Sequence, residues 1–318
     1  MFERILVPLD GSARAEMILG QVARILRRED SEIILLRVLD ITEAIWTMEP
    51  GERVDTERFR DEEREKAQKY LHGLALHFSA SGGKVHARIA DGPVPEAILE
   101  QAETEGATMI AMSTHGRSGV SRWVLGSVAE KVVRQSPVPV LLVRSFRETS
   151  RGDFGPATSE ELPFRKILVP VDGSRASEAV VRSAEKFAQL CDSEIQILHV
   201  EPLQAYPDAS EVYASVPAAP TLSDEDPATA RSAERFESAG LRARRLTVVG
   251  DPAGEIIDRS HAAGIDLIAM ATHGRSGFSR VFLGSVAERV LRGARIPLLL
   301  VRSPEASTIE GSGSSECD

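Results

Sequence analysis

Cysteine is almost missing from this chain of 318 residues, which contains only two. Cys191 stands at the end of a predicted helix, and Cys317 lies in a tail rich in glycine and serine. Two cysteines so placed give no basis for a disulfide framework or a cysteine-based zinc site. We therefore expect Cys191 to be an ordinary buried residue of the core.

Long apolar runs and a positive net charge are missing as well. No stretch approaches the roughly 18 apolar residues of a membrane span, and residues 1–7 run directly into a strand-like segment without the features of a signal peptide. We therefore expect no membrane association and a cytoplasmic location. The formal net charge of -10 also argues against broad electrostatic binding to nucleic acid, which is itself a polyanion.

The residues that are present are those of a globular protein. Hydrophobic residues make up 42% of the chain and charged residues 27%, a balance that is neither disordered nor fibrous. Since one compact unit usually holds about 150 residues, the length suggests two domains.

The chain repeats itself, which supports this division. Residues 5–12 read ILVPLDGS and return at 167–174 as ILVPVDGS, an offset of 162 residues. Residues 112–119 read MSTHGRSG and return at 270–277 as MATHGRSG, an offset of 158 residues, and LGSVAE follows in both copies. Matching blocks in the same order with a slightly drifting offset indicate a duplicated domain.

Each copy alternates short apolar runs with helical periods. Residues 33–36, 109–112 and 140–143 are continuously apolar, which is typical of strands covered on both faces. Apolar residues at helical spacing lie between them, as at Ile18, Leu19, Val22, Ile25 and Leu26, and again at Val180, Val181, Ala184, Phe187 and Ala188. The pattern predicts an α/β fold of two tandem domains, each with an open parallel sheet of five strands and helices on both faces.

The expected domains span residues 1–145 and 164–303. Residues 146–163 between them are rich in small, polar and acidic residues and form a plausible linker, and residues 304–318 are expected to form a flexible tail. Asp91-Gly92-Pro93 and Asp251-Pro252 are placed to start the third helix of each copy.

Both repeated blocks follow predicted strands. Asp10 comes after the first strand and Ser113 at the end of the fourth. In an open parallel sheet, ligands bind beyond the carboxyl ends of the strands, where the strand order reverses. If these two strands are neighbours, their loops face one crevice.

The second loop carries the most specific motif. Gly116 is followed by nine residues and then by Gly126-Ser127, where a helix is expected to begin. Unpaired N–H groups at a helix start favour phosphate. This spacing resembles the ATP-binding loop of universal stress proteins, and the resemblance extends over both halves. It implies a Rossmann-like fold of the adenine nucleotide alpha hydrolase type and binding of ATP, ADP or AMP.

Carried over residue by residue, the resemblance implies two groups of contacts in each half. The adenosine part would be bordered by Pro8, Asp10, Val38 and Met112, and in the second half by Pro170, Asp172, Val200 and Met270. The phosphates would be held by Ser113, Gly116, Gly126, Ser127 and Val128, and in the second half by Ala271, Gly274, Gly284, Ser285 and Val286.

The two halves depart from the family pattern in different ways. The first glycine of the family loop is Ser113 in one half and Ala271 in the other, and only serine adds a hydroxyl. The loop after the second strand carries Trp46 in the first half and several prolines in the second. We therefore expect the two sites to differ in affinity, with the second the weaker.

Structural alternatives stand beside these roles. Ser127 and Ser285 each precede a glutamate by three residues, as in a capping box that uses the hydroxyl locally. Asp10 and Asp172 would also serve as turn residues that start a helix. The loop arginines at 117, 122, 275 and 280 are either phosphate ligands or solvated side chains.

The histidines suggest neither catalysis nor a resident metal. His115 and His273 recur in the loop, but no acid or nucleophile recurs beside them at the spacing of a triad. His72, His77 and His86 belong to the first copy alone, without the spacing of zinc ligands. The resemblance allows Mg²⁺ to enter with the nucleotide phosphates.

Three functions remain open. The leading one is a nucleotide-dependent regulator of the stress response. The second is a slow ATP hydrolase or phosphotransferase, although the chain has no P-loop lysine motif. The third is a nucleotide-free scaffold, because some members of the family lack the loop and act through dimer surfaces, although Gly116, Gly126 and Ser127 argue against it in the first half. Residues 138–143 and 296–301 resemble the dimer-forming edge strands of the family. That resemblance implies pairing of the two halves as a pseudo-dimer, with a homodimer of chains as a further option.

Overall fold

The computed structural model of this chain describes residues 2–25, 31–40, 56–79, 83–114, 125–144, 164–202, 226–262, 264–273 and 283–302. Several parts of the predictions lie outside these residues: the linker, the tail, Leu26, His115, Gly116, Gly274, the loop arginines, and the loop after the second strand with Trp46 in the first half and most of its prolines in the second.

Strands and helices alternate through both halves. The first half consists of β1 (Arg4–Pro8), α1 (Ala13–Ile25), β2 (Glu32–Leu39), α2 (Thr56–Ser79), β3 (Lys84–Asp91), α3 (Val94–Thr104), β4 (Met109–Ser113), α4 (Ser127–Gln135) and β5 (Val140–Val143). The second half consists of β6 (Lys166–Val171), α5 (Arg175–Cys191), β7 (Glu194–Pro202), α6 (Pro227–Ser238), β8 (Ala243–Gly250), α7 (Pro252–Ala262), β9 (Leu267–Ala271), α8 (Ser285–Gly293) and β10 (Leu298–Val301).

The strands of each half form a parallel sheet, and the two sheets join into one. The order across the whole sheet is β3-β2-β1-β4-β5-β10-β9-β6-β7-β8. Every pairing within a half is parallel, whereas β5 and β10 pair antiparallel, with Leu141 opposite Leu299. The expected parallel sheets of five strands are confirmed, and β5 and β10 form the pairing between the halves that the family resemblance implied.

Helices cover both faces of this sheet, because alternate residues of each strand point to opposite sides. In β1, Ile5 and Val7 pack in the core beneath α1, α2, α5 and α6, while Leu6 packs in the core beneath α3, α4, α7 and α8. All three side chains are fully buried. The continuous apolarity of these strands therefore reflects burial on both faces. Cys191, the last residue of α5, is buried as expected.

The joining strands are shorter than the sequence suggested. Residues 138–143 and 296–301 read as strands, but β5 begins at Val140 and β10 at Leu298. Pro139 and Pro297 come directly before them, and proline has no N–H to donate to a strand ladder. Their carbonyls still accept from Ile110 and Ile268, at 3.0 and 3.1 Å.

None of the helices in the described part of the chain has the length and apolar character needed to cross a membrane.

Candidate functional site

The crevice lies at the carboxyl end of β1, where the strand order reverses. β1 pairs with β2 on one side and with β4 on the other, both in parallel. In the second half, β6 lies in the same way between β7 and β9. The loops after the first and fourth strands of each half therefore leave from adjacent strands, as the sequence analysis required of a shared crevice.

The turn after β1 is held by Asp10. Its Oδ1 atom accepts hydrogen bonds from the Ser12 N–H at 2.9 Å and from the Ser12 hydroxyl at 2.6 Å. Gly11 has a φ of 79°, which glycine adopts without a steric penalty. The Ser12 Oγ then accepts from the Ala15 N–H at 3.1 Å and caps α1. The turn role considered for Asp10 is thus present, whether or not a ligand also contacts it.

The matching turn of the second half is stabilised by more hydrogen bonds. Asp172 accepts from the Ser174 N–H at 3.0 Å, and Ser174 caps α5. The Ser177 hydroxyl also donates to the Asp172 carboxylate and accepts from the Asp172 N–H at 3.0 Å. Ser177 corresponds to Ala15, which has no hydroxyl, so Ser177 gives the second half an additional polar contact at this turn.

The crevice has an apolar base formed by the ends of three neighbouring strands. Val38 and Met112 are both buried and belong to the core beneath α3 and α4. Pro8 lies between them at the end of β1, opposite Leu36, and is half-buried. The second half repeats this base, with Val200 and Met270 buried and Pro170 half-buried. The residues expected to border adenosine thus lie together at the carboxyl ends of neighbouring strands in each half.

The loop after β4 is closed at its base by a backbone hydrogen bond. The Gly126 N–H donates to the Thr114 carbonyl at 3.0 Å, and in the second half Gly284 donates to Thr272 at 2.8 Å. Ser113 is buried at the end of β4, whereas the matching Ala271 is half-buried. The start of α4 is therefore fixed beside the end of β4, although Gly116 and Gly274 lie outside the described residues.

The capping-box alternative is wrong. Gly126, with φ of -61° and ψ of 146°, is the residue that precedes α4, so Ser127 is already the first helical residue. An N-cap residue must stand outside the helix for its side chain to reach the third residue. Within the described residues, no side chain caps α4 or the matching α8. The Ser127 and Ser285 side chains are exposed instead.

Within the described part of the chain, the two helix starts accordingly carry no side-chain cap that would compete with a ligand. The first N–H groups of a helix have no partner within it, and the helix dipole adds partial positive charge there. Val128 and Val286 are the second helical residues and are half-buried. This arrangement suits an anionic group placed between the start of α4 and the end of β4.

Comparison with known proteins identifies the family. The model of the Universal stress protein family matches residues 1–144 and again residues 163–302. The chain belongs to the universal stress protein family. Both halves are thus universal stress protein domains, arranged in tandem.

Relatives of this universal stress protein occur in both tandem and single form. One from Mycolicibacterium smegmatis is 26% identical over 314 residues, which cover 94% of this chain and 96% of that relative. One from Methanocaldococcus jannaschii is 32% identical over 155 residues, 45% of this chain and 96% of its own length. The crystal structure of a universal stress protein from Archaeoglobus fulgidus matches with a TM-score of 0.66 and 21% identity, covers 96% of this chain and 97% of that chain, and shares its fold.

Sequence reasoning missed a polar cluster near the second site of this universal stress protein. The His199 Nδ1 of β7 lies 2.6 Å from the Asp226 Oδ2, and Asp226 caps α6 through the Ala228 N–H. Burial raises the pKa of the Asp226 carboxyl, but the Ala228 N–H and His199 outweigh burial and leave that pKa below its ordinary value. A histidine inside the apolar run of β7 was the available signal.

A second missed cluster lies in the first half. The Tyr70 hydroxyl of α2 donates to the Glu16 Oε1 of α1 at 2.9 Å, and Glu16 is buried. Burial, with the hydrogen bond to Glu16, raises the pKa of Tyr70 well above its ordinary value. Arg37 of β2, which matches His199, donates to the Leu9 carbonyl at 3.3 Å. The two halves thus surround their first turns with different polar groups.

Proposed function

We propose that each half of this universal stress protein binds an adenine nucleotide, ATP or the related ADP or AMP, in the crevice at its reversal of strand order. The binding units would be the domains at residues 1–145 and 164–303. One observation carries the proposal: α4 and α8 begin without a side-chain cap from the described residues, directly beside the ends of β4 and β9. Such helix starts bind phosphate.

The residues around each helix start divide between phosphate and adenosine. The phosphates contact the small residues and first helical residues, which are Ser113, Gly116, Gly126, Ser127 and Val128, and in the second half Ala271, Gly274, Gly284, Ser285 and Val286. The adenosine part contacts Pro8, Asp10, Val38 and Met112, and in the second half Pro170, Asp172, Val200 and Met270.

The apolar base supplies affinity that the helix start lacks. A micromolar complex requires about 8 kcal/mol, while a helix terminus contributes about 1 kcal/mol or less. Contact of the adenine ring with Val38 and Met112, and the hydrogen bonds of the loop, must supply the rest. Since Ala271 offers no hydroxyl where Ser113 does, the second half binds more weakly.

Mg²⁺ enters with the nucleotide. Its ligands would be the phosphate oxygens and water, because Mg²⁺ usually keeps several waters and is held largely through the phosphates. The regulatory role proposed for this chain follows from occupancy: a bound nucleotide changes the surface at the carboxyl edge of the sheet, which a partner in the stress response then recognises.

Exposed serines at the helix starts allow a sharp test. Ser127→Glu places a negative charge where phosphate binds, yet an acidic residue in the first turn stabilises a helix. Ser127→Gln is the neutral control of matching size, and Ser285→Glu and Ser285→Gln serve the second half. Equilibrium dialysis against labelled ATP would measure affinity and stoichiometry. The proposal predicts that each glutamate removes one site and each glutamine leaves it, and ATP binding unchanged in the double glutamate variant would refute it.

A further inference from the structure

A groove lies between α5 and α6 of the second half, beside the turn after β6, and Gly173, Ser174 and Ser177 of that turn belong to its lining. It has a volume of about 260 Å³. Its walls belong to helices on one face of the sheet, whereas Val200, Met270 and α8 belong to the core on the other face. The groove therefore shares the turn after β6 with the proposed nucleotide site, but its helices lie on the opposite face of the sheet from Val200, Met270 and α8.

A tyrosine of the first half stands at the position that matches Ala228 of the groove. The strand register aligns the two helices. Val85 pairs with Ile33, and Ala243 pairs with the equivalent Ile195, so Val85 and Ala243 correspond. Phe78 of α2 and Phe236 of α6 each stand seven residues before these positions and therefore correspond as well. Counting back eight residues from each phenylalanine makes Tyr70 the counterpart of Ala228. The Tyr70 ring packs against the core and its hydroxyl binds the buried Glu16.

The second half has an alanine at this position, where the groove lies. Ala228 lines it together with the buried Val181, and Glu178, the counterpart of Glu16, is exposed there rather than buried. The space next to Ala228 is thus apolar on one side and large enough for a ring such as that of Tyr70.

The groove also carries positive charge that the first half lacks. Three arginines line it, Arg182, Arg231 and Arg235, against a single acidic residue, Glu178. Arg182 and Arg231 take the places of Gly20 and Gly73. Arg235 forms an ion pair with Glu185, 2.5 Å apart, whereas Arg182 and Arg231 are exposed and have no ion pair within the described segments.

We propose that this groove binds a small organic acid, with an apolar group of about ring size against Val181 and Ala228 and a phosphate or carboxylate group at Arg182 and Arg231. Arginine binds both groups through paired N–H donors. The volume corresponds to about nine water molecules at roughly 30 Å³ each, which favours a ligand smaller than a drug-sized molecule. The tandem chain thus has a ligand site in one half that its repeat fills with its own tyrosine.

Calorimetric titration of the full chain with phenyl phosphate and with phenylacetate, at constant ionic strength, tests the proposal and separates the two anionic groups. We expect saturable binding of at least one probe. Arg231→Gln should weaken it by about tenfold or more, the effect of losing charge-assisted hydrogen bonds. Arg60→Gln, which removes an exposed arginine of α2, is the matched control and should leave the affinity unchanged.

Ala228→Tyr restores the residue of the first half and should abolish binding while the far-UV circular dichroism stays unchanged. If that variant does not fold, Arg231→Gly takes its place. It introduces the residue of the first half at an exposed position and should likewise weaken binding of the probe. Three results would overturn the proposal: no saturation with either probe, equal affinity in Arg231→Gln, or binding that Ser285→Glu removes and Arg231→Gln does not. The last result would assign the probe to the nucleotide crevice.

Discussion

Arg144 of the first half donates a hydrogen bond of 2.7 Å from its Nη1 to the Ala294 carbonyl of the second half. The same nitrogen lies 2.7 Å from the Arg292 carbonyl, so one guanidinium binds the carboxyl end of α8. Arg302, the counterpart of Arg144, donates to the Gln135 carbonyl at the end of α4 at 3.2 Å. The halves are therefore joined at both sides of the β5–β10 pair by arginines that bind helix ends, where carbonyls are left unpaired.

Arg144→Met should destabilise this junction. It removes two charge-assisted hydrogen bonds and leaves two carbonyls without this donor, at a cost of roughly 2 kcal/mol in the free energy of unfolding. Arg302→Met, which removes one longer and exposed bond, should cost less than about 1 kcal/mol. Denaturant titration of both variants measures the difference. Equal effects of the two variants would contradict the larger contribution assigned to Arg144.

Tyr70→Phe should destabilise the first half in a pH-dependent way. Without the phenol, the buried Glu16 carboxylate loses a donor, at a cost of about 1–3 kcal/mol. Because the pKa of Tyr70 is raised in the folded state, its contribution is complete below the ordinary tyrosine pKa of about 10 and declines as pH rises further. The stability difference between the two proteins should thus shrink above pH ~10. A difference that stays constant up to the alkaline unfolding range would contradict this.

Asp226 should stabilise the second half except in acid. Its pKa is depressed in the folded state, so its contribution is present above the ordinary aspartate pKa of about 3.9 and is lost as pH falls through the lower folded value. Asp226→Asn keeps a good capping residue and removes the charge beside His199, whereas Asp226→Ala also loses the cap, at about 1 kcal/mol more. Unfolding measured across the acid range should show the effect of asparagine vanishing at low pH, whereas alanine keeps the cost of the lost cap, and equal effects of the two variants at every pH would contradict this.

Exchange of Ser113 and Ala271 should alter the two nucleotide affinities in opposite directions. With the second site blocked by Ser285→Glu, Ser113→Ala should weaken ATP binding by about three- to tenfold, the effect of one neutral hydrogen bond. With the first site blocked by Ser127→Glu, Ala271→Ser should strengthen it by a similar factor. Equilibrium dialysis of each blocked protein with and without the second substitution gives the ratio of the two ATP affinities. If neither substitution changed the affinity, Ser113 would not be a phosphate contact.

The sequence predicted the fold well because its strongest signals are local and repeated. Strand β5 is apolar throughout and β4 is apolar up to Ser113, since both faces are covered. The block around Asp10 recurs around Asp172, where the aspartate again accepts from the N–H two residues later. These features depend on residue type and spacing alone. The sequence left the adjacency of β1 and β4 as a condition for a shared crevice, and the structure meets that condition.

Two features of the structure could not be predicted from the spacing of residues in the sequence. The helix boundary at Ser127 depends on the backbone angles of Gly126, so a capping-box pattern was misleading. The correspondence of Tyr70 with Ala228 requires the strand register, because α2 has 24 residues and α6 only 12, and the offset between the copies drifts along these segments. Side chains that fill or open a groove between helices become comparable only after the two sheets are aligned.

The most direct test of the nucleotide proposal is a crystal structure of the full chain with ATP and Mg²⁺. The proposal predicts electron density for ATP between the loop after β1 and the start of α4, with phosphates at the N–H groups of Ser127 and Val128 and adenine against Val38 and Met112. Weaker density is expected beside Ser285 in the second half. An empty crevice at saturating ATP, or ATP bound elsewhere on the chain, would contradict it.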